Sequence, residues 1–442
     1  MSYPPRVQRM PPEPVGVLAH SANQEGIRQG LEEHLRTVAQ RAAEFCRGFE
    51  GEEAARYAGL WHDIGKWSDA FQAYLAACEA DPKGRRRGPD HKGAGAVLAA
   101  QHLPEATLLI QGHHGGLKAP AECRAWLAER TSDPEVQSAL RRARAAMADL
   151  EPANEIQLPE VFAQTALASE LFVRMLFSAL VDADFLDTEH HFQPRQSSQR
   201  VSGLDLAELW RRFEIGHASV SARPNSLVDE VRNQVYEACL AAAEEAPGLF
   251  RLAVPTGAGK TLSSMAFALR HALKHGHERV IVAVPFITIT EQTADVYRRI
   301  LGDEAGAHAV VLEHHSAAAS SPHDDDAHPQ AVWQRLASEN WDAPVIVTTT
   351  VQLFESLFAN RTQRCRKVHR LANSVIMLDE AQVLPAPLLR PILDALRSLC
   401  TDFGASVVIS TATQPAFEAI PEFAELAARE IVAAPARYFR AL

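Results

Sequence analysis

"AVPTGAGKT", residues 253–261, decides how the second half of this 442-residue chain folds. An apolar strand signal runs into a glycine-rich turn, and the helical stretch "LSSMAFALRHALKHG" follows. Glycines let backbone N–H groups curl around phosphate oxygens, and a helix N-terminus adds its partial positive charge. Lys260 is placed to reach β- and γ-phosphates, and Thr261 to ligate Mg²⁺. Pro255, Thr256, Gly257, Ala258, Gly259, Lys260 and Thr261 are therefore the candidate nucleotide-phosphate residues. Ala253 stands where the strict pattern has glycine, so the loop needs support from elsewhere in the chain.

Outward from this loop, short β-branched runs recur: "LFRLAVPT" (249–256), "RVIVAVPF" (279–286), "AVVLEHH" (309–315), "PVIVTTT" (344–350), "SVIMLDE" (374–380) and "SVVISTAT" (406–413). Helical stretches lie between them. Continuous apolar strands alternating with helices imply a parallel sheet covered on both faces. The run "VIMLDEAQ" (375–382) supplies the missing support, because it puts Asp379 and Glu380 at a strand end. There an aspartate holds Mg²⁺ and the neighbouring glutamate orients the attacking water. Loop and carboxylates together imply Mg-ATP or another nucleoside triphosphate.

The Asp-Glu-Ala-Gln box and "STAT" (410–413) resemble motifs II and III of superfamily 2 helicases. "PFITITEQ" (285–292) resembles the motif that grips a strand backbone, and "VTTTVQLFESLF" (347–358) resembles its neighbour. By that resemblance Pro285, Thr349 and Thr350 contact DNA, and Gln382 belongs with the hydrolysis residues. Gln234 in "VRNQVYEACL" is the candidate for reading adenine, with a surface helical glutamine as the plain alternative. A motor of this kind needs two RecA-like domains, the second supplying an arginine finger. About 30 residues follow "STAT", so only the first is expected here.

Residues 15–215 read as mostly helical, rich in alanine, leucine, glutamate and arginine, with Gly/Pro punctuation such as "DPKGRRRGPDHKG". The polar stretch "IGHASVSARPNS" makes 216–226 the expected linker. The reading is thus a flexible segment at 1–14, a helical domain at 15–215, and an α/β RecA-like domain at 227–442. A net charge of −11 argues against coating nucleic acid through bulk charge. A local basic groove remains open: Arg85, Arg86 and Arg87 in "GRRRG" either guide a phosphate backbone or form a solvated loop. Six widely spaced cysteines, without a CxxC pair, fit a reducing cytoplasm better than a disulfide framework. No signal region opens the chain, and no apolar run approaches a membrane span. "SSPHDDDAHPQ" (320–330) looks like a metal site but reads as an exposed loop.

The helical half carries histidines in distinctive contexts: His20 in "LAHSANQEG", His62 beside Asp63 in "LWHDIGKWSDAF", His91 in "PDHKGAGA", and His113-His114 in "QGHHGGL". Asp182 and Asp184 follow in "SALVDADFLDTE". Imidazole and carboxylate together suit Mn, Fe, Co, Ni or Zn. An adjacent His-Asp on a helix can serve two metals, the aspartate bridging. Asp182 and Asp184 are two apart on a helix and point in opposite directions, so only one is a ligand.

The ordered set resembles the HD phosphohydrolase superfamily. That resemblance implies one metal on His20, His62, Asp63 and Asp184, and a second on Asp63, His91, His113 and His114. Asp184 is preferred for its "ADF" context, with Asp182 in reserve. Two such ions polarise a phosphodiester and activate water. Lys66, one turn beyond the pair, is the candidate to stabilise phosphorane charge. An HD domain ahead of a superfamily 2 motor resembles the CRISPR-associated nuclease-helicases of type I systems, closest in flavour to subtype I-C. "AHSANQEG", "HDIGKWSDAFQ", "GHHGGL", "LVDADFLDTE", "VPTGAGKT", "LEHHS" and "LDEAQ" carry the likeness. Gln382 stands where many members carry histidine. The resemblance implies cleavage of single-stranded DNA, two divalent ions (Mn, Fe, Co or Ni), Mg-ATP, and recruitment by the Cascade surveillance complex. Phage anti-CRISPR proteins are further implied partners. The competing readings are a small-nucleotide HD phosphohydrolase and a fragment that only docks on a partner.

Overall fold

The computed structural model describes residues 16–81, 84, 86–160, 162, 165–200, 205–220, 226–303, 309–317, 329–412, 421 and 427–442. The first half is helical apart from the short strands Leu18–His20 and Gln29–Gly30. Helix Leu31–Phe45 buries Leu31, Leu35, Val38 and Ala42 on one stripe, the spacing that makes a helix amphipathic. It packs against helices Glu52–Trp61 and Ala166–Phe192. The last spans 27 residues and contains the long apolar run of the sequence. Among the described residues no helix is long and apolar enough to cross a membrane.

The second half is a seven-stranded, all-parallel sheet. Its order is Val311–His314, Val345–Thr349, Arg279–Val284, Ser374–Leu378, Ser406–Thr411, Leu249–Ala253 and Arg429–Glu430. Six strands fall within the runs singled out from sequence. The seventh, a two-residue edge at Arg429–Glu430, is too short to leave a periodic signal.

Alternation along the strands builds two cores. Val280, Val282, Val345, Val347, Val375 and Met377 face one way, against Phe267 and Tyr297. Ile281, Ile346, Ile376 and Ile409 face the other way, into a core that continues through Phe403 and Phe49 to Phe172. The Phe49 ring lies 5.5 Å from Phe403 and 6.0 Å from Phe172. The helical half therefore packs on one face of the sheet through continuous apolar contact.

The expected linker at 216–226 begins inside a helix, Leu206–Val220. That helix buries Leu209 and Phe213 in the second core, and its Gly216 lies against the Ile300 carbonyl. Its end, residues 218–220, is exposed, which is why the texture there reads as a linker. The helix belongs with the α/β half. Residues 1–15 and 221–225, and most of "SSPHDDDAHPQ", lie outside the described residues.

Candidate metal centre and nucleotide site

Helix Glu52–Trp61 ends just before His62, and Asp63 opens a 3-10 turn at Ile64–Trp67. The pair thus sits at a helix end rather than within a helix. Gly65 explains the break. Its N–H donates to the His91 carbonyl at 3.1 Å, and a Cβ on it would lie 2.7 Å from His91 Cα. Only glycine lets the His91 segment close over the His-Asp pair. Gly95 has the same role one helix away, where its Cα lies against the Trp61 carbonyl.

Asp63 is the centre of the cluster, buried at 1% exposure. Its Oδ2 lies 3.5 Å from His62 Nε2 and 3.7 Å from His34 Nε2. Its Oδ1 lies 3.3 Å from His113 Nε2 and 3.7 Å from His91 Nε2. Asp184 Oδ1 stands 3.6 Å from His34 Nε2 and 3.7 Å from His62 Nε2. One group of ligand atoms comes from Asp63, His91, His113 and His114, another from His34, His62 and Asp63, each spanning no more than 4.8 Å. Asp63 belongs to both, so one carboxylate faces two sites.

The imidazoles are held from behind. His62 Nδ1 bonds to the Gly59 carbonyl at 2.7 Å, His113 Nδ1 to Ile110 at 2.7 Å and His91 Nδ1 to Pro89 at 3.3 Å. His34 Nδ1 lies 2.6 Å from Asp187 Oδ2. Such partners fix the tautomer so that each Nε2 turns its lone pair to the centre. The Nε2 atoms of His34, His62, His91 and His113, and Asp63 Oδ1, are buried without a hydrogen-bond partner, while Asp63 Oδ2 pairs with Lys66 Nζ. Buried polar atoms are normally satisfied, and a divalent ion on each side of Asp63 is what this donor set fits.

The electrostatics agree. Burial opposes charge on Asp63, yet Lys66 and His62 hold its carboxyl well below the usual range. Burial also opposes a charged His34, but the hydrogen bond to Asp187 and the nearby Asp63 carboxylate push it up to about 9. The pocket is built around carboxylates that call for positive charge. Lys66 supplies one such charge, its Nζ 2.7 Å from Asp63 Oδ2 and 3.1 Å from the Ala19 carbonyl.

The structure places three of the sequence candidates away from the cluster. His34, not singled out from sequence, takes the place expected for His20. His20 sits at the rim, 4.9 Å ring-to-ring from His34, with Nε2 3.5 Å from Thr188 Oγ1. The signal for His34 was a histidine on the apolar stripe of its helix, between Leu31 and Leu35. Asp182 points away from the centre and pairs with Arg366 Nε at 2.9 Å and Asn340 Nδ2 at 3.0 Å. Arg86 closes the end of helix Asp69–Ala80 by donating to the Ala77 and Asp81 carbonyls at 3.0 and 3.2 Å. Of the other two arginines, Arg87 is exposed and Arg85 lies outside the described residues.

In the α/β half, Gly257 and Gly259 have φ of +91° and +79°, and helix Lys260–His275 starts directly after them. Arg232 Nε donates to the Gly257 carbonyl at 2.9 Å, and Gln234 is exposed on the same helix. Lys260 Nζ lies 2.7 Å from Asp379 Oδ1 and 2.5 Å from Glu380 Oε1. Burial opposes charge on Glu380, but Lys260 and Gln382 hold its carboxyl below the usual range. Gln382 also accepts from Thr411 Oγ1 at 2.8 Å, and its amide donates to Glu380. Glutamine at this position joins the carboxylate pair to the "STAT" strand. Pro285 follows the strand Arg279–Val284, and Thr349 ends the neighbouring one, with Val284 opposite Thr349 in register. Thr349 Oγ1 accepts from Gln352 N at 3.1 Å, capping helix Thr350–Leu357. Phe286 and Val351 flank this edge, both more than half exposed.

Residues 15–186 match the family described as Cas3, HD domain, and residues 226–415 match the one described as type III restriction enzyme, res subunit. A CRISPR-associated nuclease/helicase Cas3 of Haloferax volcanii is 31% identical over 184 residues, 39% of this chain and 20% of that protein. The crystal structure of T. fusca Cas3 superposes with a TM-score of 0.63 at 17% identity, covering 95% of this chain and 53% of that one. A structure titled CRISPR RNA-guided surveillance complex, pre-nicking, gives 0.53 at 16% identity, covering 93% and 50%. The chain spans about half the length of these structures and matches a fifth of the Haloferax protein. Those structures share the fold seen here, a helical HD domain followed by a parallel α/β domain. The chain is thus similar to Cas3 proteins in both halves, with a stretch matching the Cas3 HD domain ahead of one matching the type III restriction enzyme res subunit.

Proposed function

We propose that this chain is a metal-dependent nuclease that cuts single-stranded DNA at the Asp63-centred cluster. The observation that carries the reading is the convergence of four buried imidazole Nε2 atoms, none with a hydrogen-bond partner, on the one Asp63 carboxylate. His34, His62, Asp63 and Asp184 would hold one divalent ion, and Asp63, His91, His113 and His114 a second. Imidazole–carboxylate ligation suits Mn, Fe, Co or Ni. When bound, two such ions polarise a phosphodiester and lower the pKa of water. The chain's own contribution is placement. Backbone carbonyls and Asp187 orient the imidazoles, Asp63 is shared, and Lys66 sets a positive charge beside it.

The α/β half would bind Mg-ATP through Gly257–Thr261, with Asp379 and Glu380 on the ion and water, and Gln234 as the adenine reader. Pro285, Thr349 and Thr350 would contact the DNA backbone. In the whole protein this half would belong to a 3′-5′ motor that feeds displaced strand to the metal centre, after recruitment by the Cascade complex of a type I system. Support for that partnership is the pre-nicking surveillance-complex structure, which shares this fold. The test is incubation of the purified chain with Mn²⁺ and circular single-stranded DNA, beside a panel of small nucleotides. Cutting of the circle that is abolished by chelator is expected. Hydrolysis of a small nucleotide with an intact circle would overturn the reading.

A further inference from the structure

We infer that Arg366, on the α/β side, is a positioning residue for the metal centre: by gripping Asp182 and Phe185 it sets the rotation of helix Ala166–Phe192 and so aims Asp184 at His34 and His62. The inference rests on the metal reading above and goes beyond it, because it makes nuclease geometry depend on the neighbouring domain.

The helix has two polar faces. One carries Asp184 and Asp187 toward the histidines. The other meets the α/β half at intervals of three or four residues. Arg174 Nη1 donates to the Ala359 carbonyl at 2.8 Å, and Ser178 Oγ to the Cys365 carbonyl at 2.6 Å. Asp182, fully buried, accepts from Arg366 Nε and Asn340 Nδ2. The Arg366 guanidinium also lies 4.7 Å over the Phe185 ring. Further along, Glu189 pairs with Arg200 at 2.6 Å, and Arg200 and Arg366 share Glu339 at 2.6 and 3.1 Å.

Arg366 thus touches residues 182 and 185, which share a face, while Asp184 projects roughly opposite. A carboxylate at the surface of a helix stands about 5–6 Å from its axis. A rotation of roughly 20° would therefore swing Asp184 by about 2 Å, more than its ligand geometry tolerates. The apolar core holds the helix in place, but apolar packing resists small rotations less sharply than a two-point clamp with a planar guanidinium. The segment Ala359–Arg366 also reaches the second group of ligands, since Leu117 N, three residues after His114, donates to the Asn360 carbonyl at 2.8 Å.

A purely structural ion pair would lower thermal stability and leave metal affinity alone, and that contrast sets the test. Bound Mn²⁺ and the half-saturating Mn²⁺ for cleavage are measured in wild type, Asp63→Ala, Arg366→Lys, Arg366→Met and the double variant Asp182→Asn/Arg366→Gln. Melting temperature is followed in parallel. Two Mn²⁺ in wild type, lost in Asp63→Ala, establish the metal reading, and their absence would defeat that reading instead. Given them, half-saturating Mn²⁺ is expected to rise about 10–100-fold in Arg366→Met, the range for loss of an outer-shell partner, and less in Arg366→Lys. Where Arg366→Met fails to fold, the double variant leaves no charge unpaired and carries the same readout. A folded Arg366→Met or double variant with wild-type half-saturation overturns the inference, even if it melts earlier.

Discussion

Gly65→Ala puts the geometry of the Asp63 centre to a quantitative test. The added Cβ would lie 2.7 Å from His91 Cα, against an ordinary contact distance of about 3.5–4.0 Å. The His91 segment must therefore withdraw by about 1 Å, and the Gly65 N–H bond to its carbonyl is lost with it. His91 Nε2 now stands 3.7 Å from Asp63 Oδ1. Two donors on one ion, each about 2.1 Å from it, lie at most about 4.2 Å apart. A withdrawal directed away from Asp63 carries His91 past that limit, so the ion shared by Asp63, His91, His113 and His114 loses a ligand. Its affinity is expected to fall about 10–100-fold, comparable to losing an outer-shell partner. Cleavage at limiting metal should fall about 100-fold, as expected for a 1 Å misplacement. Calorimetric Mn²⁺ titration and nicking of circular single-stranded DNA give the two numbers, with circular dichroism to establish that the fold persists. The atoms nearest the added Cβ belong to His91, not to His34 or His62, so one ion is expected to remain near wild-type affinity. A folded Gly65→Ala with two wild-type Mn²⁺ affinities and full cleavage would refute the reasoning.

Asp63→Ala is expected to remove both ions and all cleavage with helical content intact, read by metal analysis and circular dichroism; wild-type cutting would exclude it as the bridging ligand. Arg87→Ala is expected to reduce the slope of log affinity for single strands against log salt by about 0.7, whereas Arg86→Ala, which uncaps a helix, lowers melting temperature instead. Equal effects of the two on the slope would show that the loop acts as one basic patch. Burial pushes His271 and His277 down to about 4 from an ordinary 6.5. The fold therefore favours their neutral rings, so their contribution to stability is complete above pH 6.5 and is lost as pH falls from 6.5 toward 4. Melting curves across that window should show a decline that His277→Gln makes shallower, and an unchanged profile would mean that other groups govern acid unfolding.

The α/β half was legible because its signals are local. A buried parallel strand is a short apolar run, and a phosphate loop is a few consecutive residues. The candidate metal centre was legible where its residues came in pairs, as His62-Asp63 and His113-His114. It failed at His34 because a lone histidine on an apolar stripe looks like a satisfied core residue; only the fold shows its Nε2 turned to Asp63 and Asp184. The choice between Asp182 and Asp184 was partly legible, since helical geometry sends them apart. What sequence does not carry is the destination of the rejected one, because Arg366 and Asn340 lie more than 150 residues away. Arg86 shows the opposite case, where a run of like charges left two readings open and hid a local helix cap.

The isoleucine face of the sheet has a consequence for how this protein comes apart. Because Ile281, Ile346, Ile376 and Ile409 share one core with Phe49 and Phe172, the two halves are a single cooperative unit rather than beads on a string. Cutting the chain between Arg200 and Leu206 would not liberate two autonomous modules; it would bare matching apolar surfaces that seek each other or aggregate. Native-state hydrogen exchange should accordingly find the slowest amides of helix Ala166–Phe192 and strand Ser374–Leu378 opening together, at one global free energy. Evolution can tune the histidine cluster and the phosphate loop of such a protein only as co-adapted partners.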